Sequence, residues 1–200
     1  MIAYKREKLE NALSYIIKIH ETLAKKEATQ TYIYKYMALV DFKSLEETGR
    51  PVFDFDYIAL KKGPVPAKLY DFRENIVDDE DFFDVIKLKM TDEGNFVYKN
   101  KKEPDLDYLS DYEINLIETT VESYANEKVK TQHLIDATHE KIKAWDTAWE
   151  HRDGVDRVII DPLDTFEDIK TKEQEELSPT EEIALFYHAL RRKYLQQRCF

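Results

Sequence analysis

The residues of this 200-residue chain that could do chemistry are five histidines, one cysteine and a surplus of carboxylates. His20, His133, His139, His151 and His188 are scattered. No HExxH pair and no Cys/His pairing occurs, so zinc has no recognisable ligand set and no metal or cofactor is expected. His20-Glu21 and His139-Glu140 are adjacent pairs, but neighbours on a helix point in different directions. A hydrogen-bonded core or surface histidine is the plainer reading of each. Cys199 is penultimate, where a chain end is seldom ordered enough to hold a catalytic thiolate. No serine sits in a G-x-S-x-G elbow. The carboxylates are too numerous for any pair to stand out without geometry. "KKGPVPAK" (61–68) has one glycine and two prolines, which remove backbone donors where a phosphate loop would supply them. No catalytic constellation emerges, and a non-enzyme is expected.

Totals narrow the class further. The chain is 42% hydrophobic, enough for a real core, and carries a net charge of -11, which repels phosphate backbones and argues against nucleic-acid binding. No apolar run reaches membrane-spanning length, and the N-terminus interleaves charged with apolar residues, unlike a signal peptide. A soluble, cytoplasmic protein is expected.

The elements that must position any site are largely helical. Leu9, Ala12, Leu13, Ile16, Ile17, His20 and Leu23 share one helical face. A second helix is predicted from about 31 to 47, with Ile33, Tyr36, Met37, Val40 and Leu45 inward. Gly49 sits where a left-handed terminator is wanted, and Pro51 blocks continuation. Between Phe53 and Ala59 alternate residues suit a strand, while Phe55, Ile58 and Ala59 fit a helical turn; the extended reading is preferred. Gly63, Pro64, Val65 and Pro66 read as the entry to a helix, with Pro66 in its first turn. A hairpin is expected from 85–90 and 96–99 around a Gly-containing loop. Ser110 and Glu113 form a capping box for a helix with Ile114, Ile117 and Val121 on one face. A short helix and a Trp-bearing turn close a compact domain, assigned to 1–152.

Residues 153–200 read as an acidic linker and a C-terminal amphipathic helix. From Asp161 to Glu182 there are nine acidic and two basic residues, which suggests a solvated connection. Ser178, Pro179 and Glu181 then open a helix whose apolar stripe is Ile183, Phe186, Tyr187, Leu190 and Tyr194. That stripe either returns to its own domain or docks on a partner, including a second copy of the chain. Arg191, Arg192, Lys193 and Arg198 read as complements to the helix dipole and the acidic segment. The fold class is therefore mainly α: a compact helical domain with a small β-hairpin, plus the C-terminal helix.

An ordered set of short motifs, spread over about residues 7 to 150, resembles the Panacea domain of SocA-like antitoxins, many of them phage-associated. It comprises Asp41, then Gly49, Arg50 and Pro51, then Asp56, Tyr57 and Ala59. Gly63 to Pro66 follow with Tyr70, then Leu109, Ser110 and Glu113, and finally Thr138, His139, Ala144 and Trp145. The tail beyond 152 has no counterpart in that pattern. The resemblance implies a binding module that neutralises a cognate toxin by direct contact, with a protease-delivering adaptor or phage-associated regulator as the alternative. A hydrolase using His139 ranks last. The motif positions are candidates for bracing the core or touching the partner.

Overall fold

Helix α2 (Gln30–Thr48) is the axis on which the rest is laid, and it is buried on nearly every side: Tyr32, Ile33, Tyr34, Tyr36, Met37, Val40 and Phe42 all lie in the core. The structure is a computed structural model describing residues 4–79, 81–128 and 130–197, without the side chains at 78 and 194–197. Helix α1 (Lys5–Ala24) packs along α2 through Leu13, Ile16 and Ile17. The Nδ1 of His20 lies 3.0 Å from the Tyr36 hydroxyl, which holds the ring in the core, while its Nε2 is buried without a hydrogen-bond partner. Its burial lowers its pKa to about 4. Leu23, expected on the inward face, is 39% exposed in the last turn of α1, next to buried Ala24.

Gly49 terminates α2 as its position predicts, with φ at 73° and its N–H donating to the Leu45 carbonyl. The expected hairpin is present as β4 (Ile86–Met90) against β5 (Phe96–Asn100), and a two-residue strand, β1 (Ala28–Thr29), extends it to three. The extended segment expected between Phe53 and Ala59 is strand only from Tyr57 on, and its pairing into a second three-stranded sheet was not expected. The strands of that sheet are β2 (Tyr57–Leu60), β3 (Gly63–Pro66) and β6 (Val158–Ile159), in the order β3-β2-β6. Thus Gly63 to Pro66 form a strand, and the helix they were expected to open, α3 (Ala67–Asp71), begins one residue later. A further short helix, α4 (Arg73–Asp78), leads to the β4–β5 hairpin.

Helix α5 (Asp111–Tyr124) carries the predicted capping box: the Ser110 hydroxyl accepts from the Glu113 N–H while the Glu113 carboxylate accepts from the Ser110 N–H. Helix α6 (Thr131–Lys141) and helix α7 (Lys143–Glu150) break at Ile142, so the Trp-bearing segment is a helix rather than a turn. Helix α8 (Pro179–Gln197) has the Ser178–Glu181 box in place.

The segment read as a solvated connection is partly packed. Ile160 joins the main core, and Leu163 and Ile169 form a small second cluster with Leu45 and Ala184. Two short 3-10 turns, Pro162–Thr165 and Gln174–Glu176, carry the chain over the domain surface to α8. Composition hid this, because three or four well-spaced aliphatics suffice to anchor a chain whose other residues are acidic. Among the described residues no helix is long and apolar enough to cross a membrane.

Candidate functional site

Three clusters gather the residues singled out in the sequence. The first is centred on Asp41, buried in α2 at 2% exposure. Its Oδ1 accepts from the Phe53 N–H at 2.6 Å and its Oδ2 from the Tyr57 hydroxyl at 2.9 Å. Burial pushes its pKa up to about 7, partly opposed by those two hydrogen bonds. Burial likewise raises the Tyr57 phenol, and the adjacent Asp41 charge raises it further. Each oxygen of this carboxylate accepts one hydrogen bond from the segment after α2, which makes Asp41 the clasp that fixes the connector.

The second cluster is that connector, residues 49–57. The Ser44 hydroxyl donates to the Arg50 carbonyl at 2.7 Å, closing the helix end, while the Arg50 side chain is exposed and Pro51 half-buried. Asp54 takes a left-handed conformation, φ 57°, and its carboxylate receives Lys5 at 2.9 Å and Arg191 at 2.5 Å. Arg191 also reaches the Asp56 carboxylate at 2.6 Å and the Asp54 carbonyl at 3.2 Å. Arg191, expected to complement the helix dipole and the acidic segment 161–182, instead pairs with Asp54 and Asp56 and pins α8 to the connector. Gly49 is needed here twice over. A Cβ on it would lie 2.5 Å from the Thr180 carbonyl of α8, and its positive φ already disfavours a side chain.

The third cluster surrounds the β2–β3 hairpin. All four residues of β3 are buried although β3 is a sheet edge. Their pairing, Ile58 with Val65 and Ala59 with Pro64, turns the nitrogens of Pro64 and Pro66 away from β2, towards the protein interior. A buried edge with ordinary residues would strand two N–H donors there; proline has none to strand. The Pro64 carbonyl on that same side accepts from the Lys35 ammonium at 2.8 Å. Lys35 sits in α2 at 2% exposure, and burial lowers its pKa to about 7. Sequence reasoning missed it, because a lysine inside "YIYKYM" looks like a surface residue; its position between Tyr34 and Tyr36, with Tyr32, Ala38 and Leu39 as helical neighbours, was the available signal.

Gly63 has φ 93° and a Cβ there would lie 2.6 Å from the Thr138 hydroxyl and 3.1 Å from Lys35 Nζ. Its freedom also lets the chain reverse after Lys61 and Lys62, neither of which has positive φ. His139 stacks flat on Trp145, ring centroids 3.9 Å apart, and Trp145 donates to the Leu60 carbonyl at 3.2 Å. The His139 pKa is lowered, first by burial and then by nearby Lys35. Val65 and Trp145 are in the main core.

A family model described as antitoxin SocA-like, Panacea domain, matches residues 33–146. The chain belongs to the SocA-like Panacea-domain family. No curated protein and no solved structure matches it. The Panacea-domain residues thus divide by exposure. Asp41, Tyr57, Gly63 to Pro66 and Trp145 are buried, whereas Arg50 and Asp56 are exposed and His139 is half-buried. Two open grooves lie beside them. One of 540 Å³ separates α2 from α5 and is lined by Phe42, Glu46, Tyr112, Thr119 and Lys141. The other, of 620 Å³, lies between α8 and the end of α2 and is lined by Lys8, Arg50, Tyr112, Ile183 and Phe186.

The expected tail stripe splits. Tyr187 faces the domain, half-buried near Asp54, while Ile183, Phe186 and Leu190 are 36%, 65% and 48% exposed. The Tyr194 side chain lies outside the described residues, as do Arg198 and Cys199. Among the described residues no group of three or more His, Cys, Asp or Glu is arranged to hold a metal ion.

Proposed function

We propose that this protein is the antitoxin of a toxin–antitoxin pair and neutralises a cognate protein toxin by direct contact in the cytoplasm. Membership of the SocA-like family over residues 33–146 carries the reading. Two physical features support it. The family-identifying residues serve to brace the chain: the Asp41 clasp, the proline edge and the His139–Trp145 stack make a stiff platform, and stiffness lowers the ordering cost of binding. The net charge of -11 would also steer the chain onto a basic toxin surface and speed association. Catalysis has less to work with, since Asp41 has both oxygens engaged and the His139 ring is stacked against Trp145.

The test is expression of the neighbouring open reading frame alone and together with this chain. Growth arrest alone, rescue on co-expression and a complex stable to purification are expected. A neighbour that is harmless alone, or a toxin rescued with no complex, refutes direct neutralisation. Measuring the toxin's half-life in the same cells separates the adaptor alternative, which shortens it. Replacing His139 by Ala leaves rescue intact if the protein acts by binding and abolishes it if His139 is a catalytic base.

A further inference from the structure

We infer that the outer face of α8 is an interface for a second copy of this chain, the two helices running antiparallel about a two-fold axis between residues 187 and 188. This inference stands apart from the antitoxin reading. Helix α8 is held to its own domain by its smaller and more polar side: Ala184 at 1% exposure, Tyr187, and Arg191 bound to Asp54 and Asp56. Phe186 and Leu190 are exposed, at 65% and 48%, while Ile183 at 36% sits at the margin with its Cβ and Cγ2 against Gly49.

The outer face has an order along it. Glu182, Phe186, Ala189 and Lys193 follow four-three-four spacing, which places them in one line along a helix, and all four are exposed. Ile183 and Leu190 widen that line by one position each. Neither Glu182 nor Lys193 makes an ion pair among the described residues. The line therefore begins with an unpaired acid, ends with an unpaired base, and has a large ring and a methyl group between.

Turned end for end, the line is its own complement. About a two-fold axis at its centre, Glu182 lies opposite Lys193 of the other copy, and Phe186 lies opposite Ala189. That is the self-matching that an isologous interface demands, and a large-against-small pairing lets the helices approach as in an antiparallel coiled coil. A parallel arrangement would set Glu182 against Glu182 and ring against ring. Two copies each carrying -11 repel at long range, but at physiological salt that repulsion is screened beyond about 8 Å while close ion pairs persist. The area offered by one helix face is at the small end for protein interfaces, so a dissociation constant of about 1–50 µM is expected.

Sedimentation equilibrium of the full chain, from about 1 to about 300 µM at about 0.15 M salt, reads this directly. A monomer–dimer equilibrium is expected. Phe186→Asp should weaken it by about tenfold or more. Because Phe186 is 65% exposed, the melting temperature of the dilute variant should match that of the original. Glu182→Lys and Lys193→Glu should each weaken association, and combining them should restore it to within about threefold. A chain that stays monomeric throughout, a dimer indifferent to Phe186→Asp, or a combined charge swap no better than the single ones overturns the inference. So does a monomeric chain whose complex with the neighbouring gene product is lost on Phe186→Asp, which would assign the face to that partner.

Discussion

Replacing Lys35 by methionine should stabilise this protein, even though it removes a hydrogen bond from the core. Lys35 is buried in α2 with one polar partner, the Pro64 carbonyl at 2.8 Å, and no carboxylate beside it. Burial lowers its pKa from 10.5 to about 7. At about 1.4 kcal/mol per pH unit, holding the amine in that environment costs about 4–5 kcal/mol at or below pH 7. Methionine has similar length and no charge, so the substitution recovers that cost. Against it stands the Pro64 carbonyl, left without a donor at about 1–3 kcal/mol. The net expectation is a gain of about 1–4 kcal/mol at pH 7. The sign with pH follows from the lowered folded-state pKa. Between pH 7 and 10.5 the unfolded chain holds a proton that the folded chain does not, so the Lys35 contribution to stability rises with pH across that window. Urea denaturation of both forms at pH 6, 7, 8 and 9 should show the gain of Lys35→Met shrinking steadily above pH 7. A variant destabilised by more than about 1 kcal/mol at pH 7, or a difference independent of pH, would refute the claim that desolvation outweighs the hydrogen bond here.

Other perturbations test the remaining clusters. Asp41→Asn keeps an acceptor oxygen but cannot ionise; with the Asp41 pKa raised from 3.8 to about 7, its advantage over the original should grow between pH 4 and 7 and level off above, in urea titrations at each pH. Asp41→Ala, which strands the Phe53 N–H and the Tyr57 hydroxyl, should lose about 2–4 kcal/mol at pH 5 by the same measurement. Gly63→Ala, at φ 93° with a Cβ 2.6 Å from the Thr138 hydroxyl, should cost about 2 kcal/mol or more, seen as a lower melting temperature. Arg191→Met should leave the global melt nearly unchanged while raising amide exchange at residues 53–57, because it frees the connector without emptying the core.

Much of the helical frame could be read from local chemistry. Gly49 and Pro51 end α2 because a left-handed residue followed by a ring admits nothing else, and the Ser110–Glu113 and Ser178–Glu181 boxes locate two helix starts to the residue. The order of the short motifs is by itself enough to point to the SocA-like family. The β2–β3–β6 sheet escaped because its signals contradict local propensity. Two prolines in four residues argue against a strand unless the strand's outer edge is buried and donor-free, and burial of that edge is set by α2 and α6, far away in sequence. Lys35 escaped for a related reason: nothing local says that a lysine will face a proline carbonyl instead of water.

The helix at the C-terminus shows where the two kinds of information part. Its existence, its start at Ser178 and its apolar line at 183, 186 and 190 follow from residue types and spacing alone, since a helix forms by contacts within four residues of itself. Which side it turns inwards does not follow. The domain selects the Ala184–Tyr187–Arg191 side, because Gly49 leaves room for close backbone approach and Asp54 and Asp56 wait there for a guanidinium. Hydrophobic spacing could name a face that wants cover; only the folded surface opposite could decide which face received it, and it left Phe186 outside.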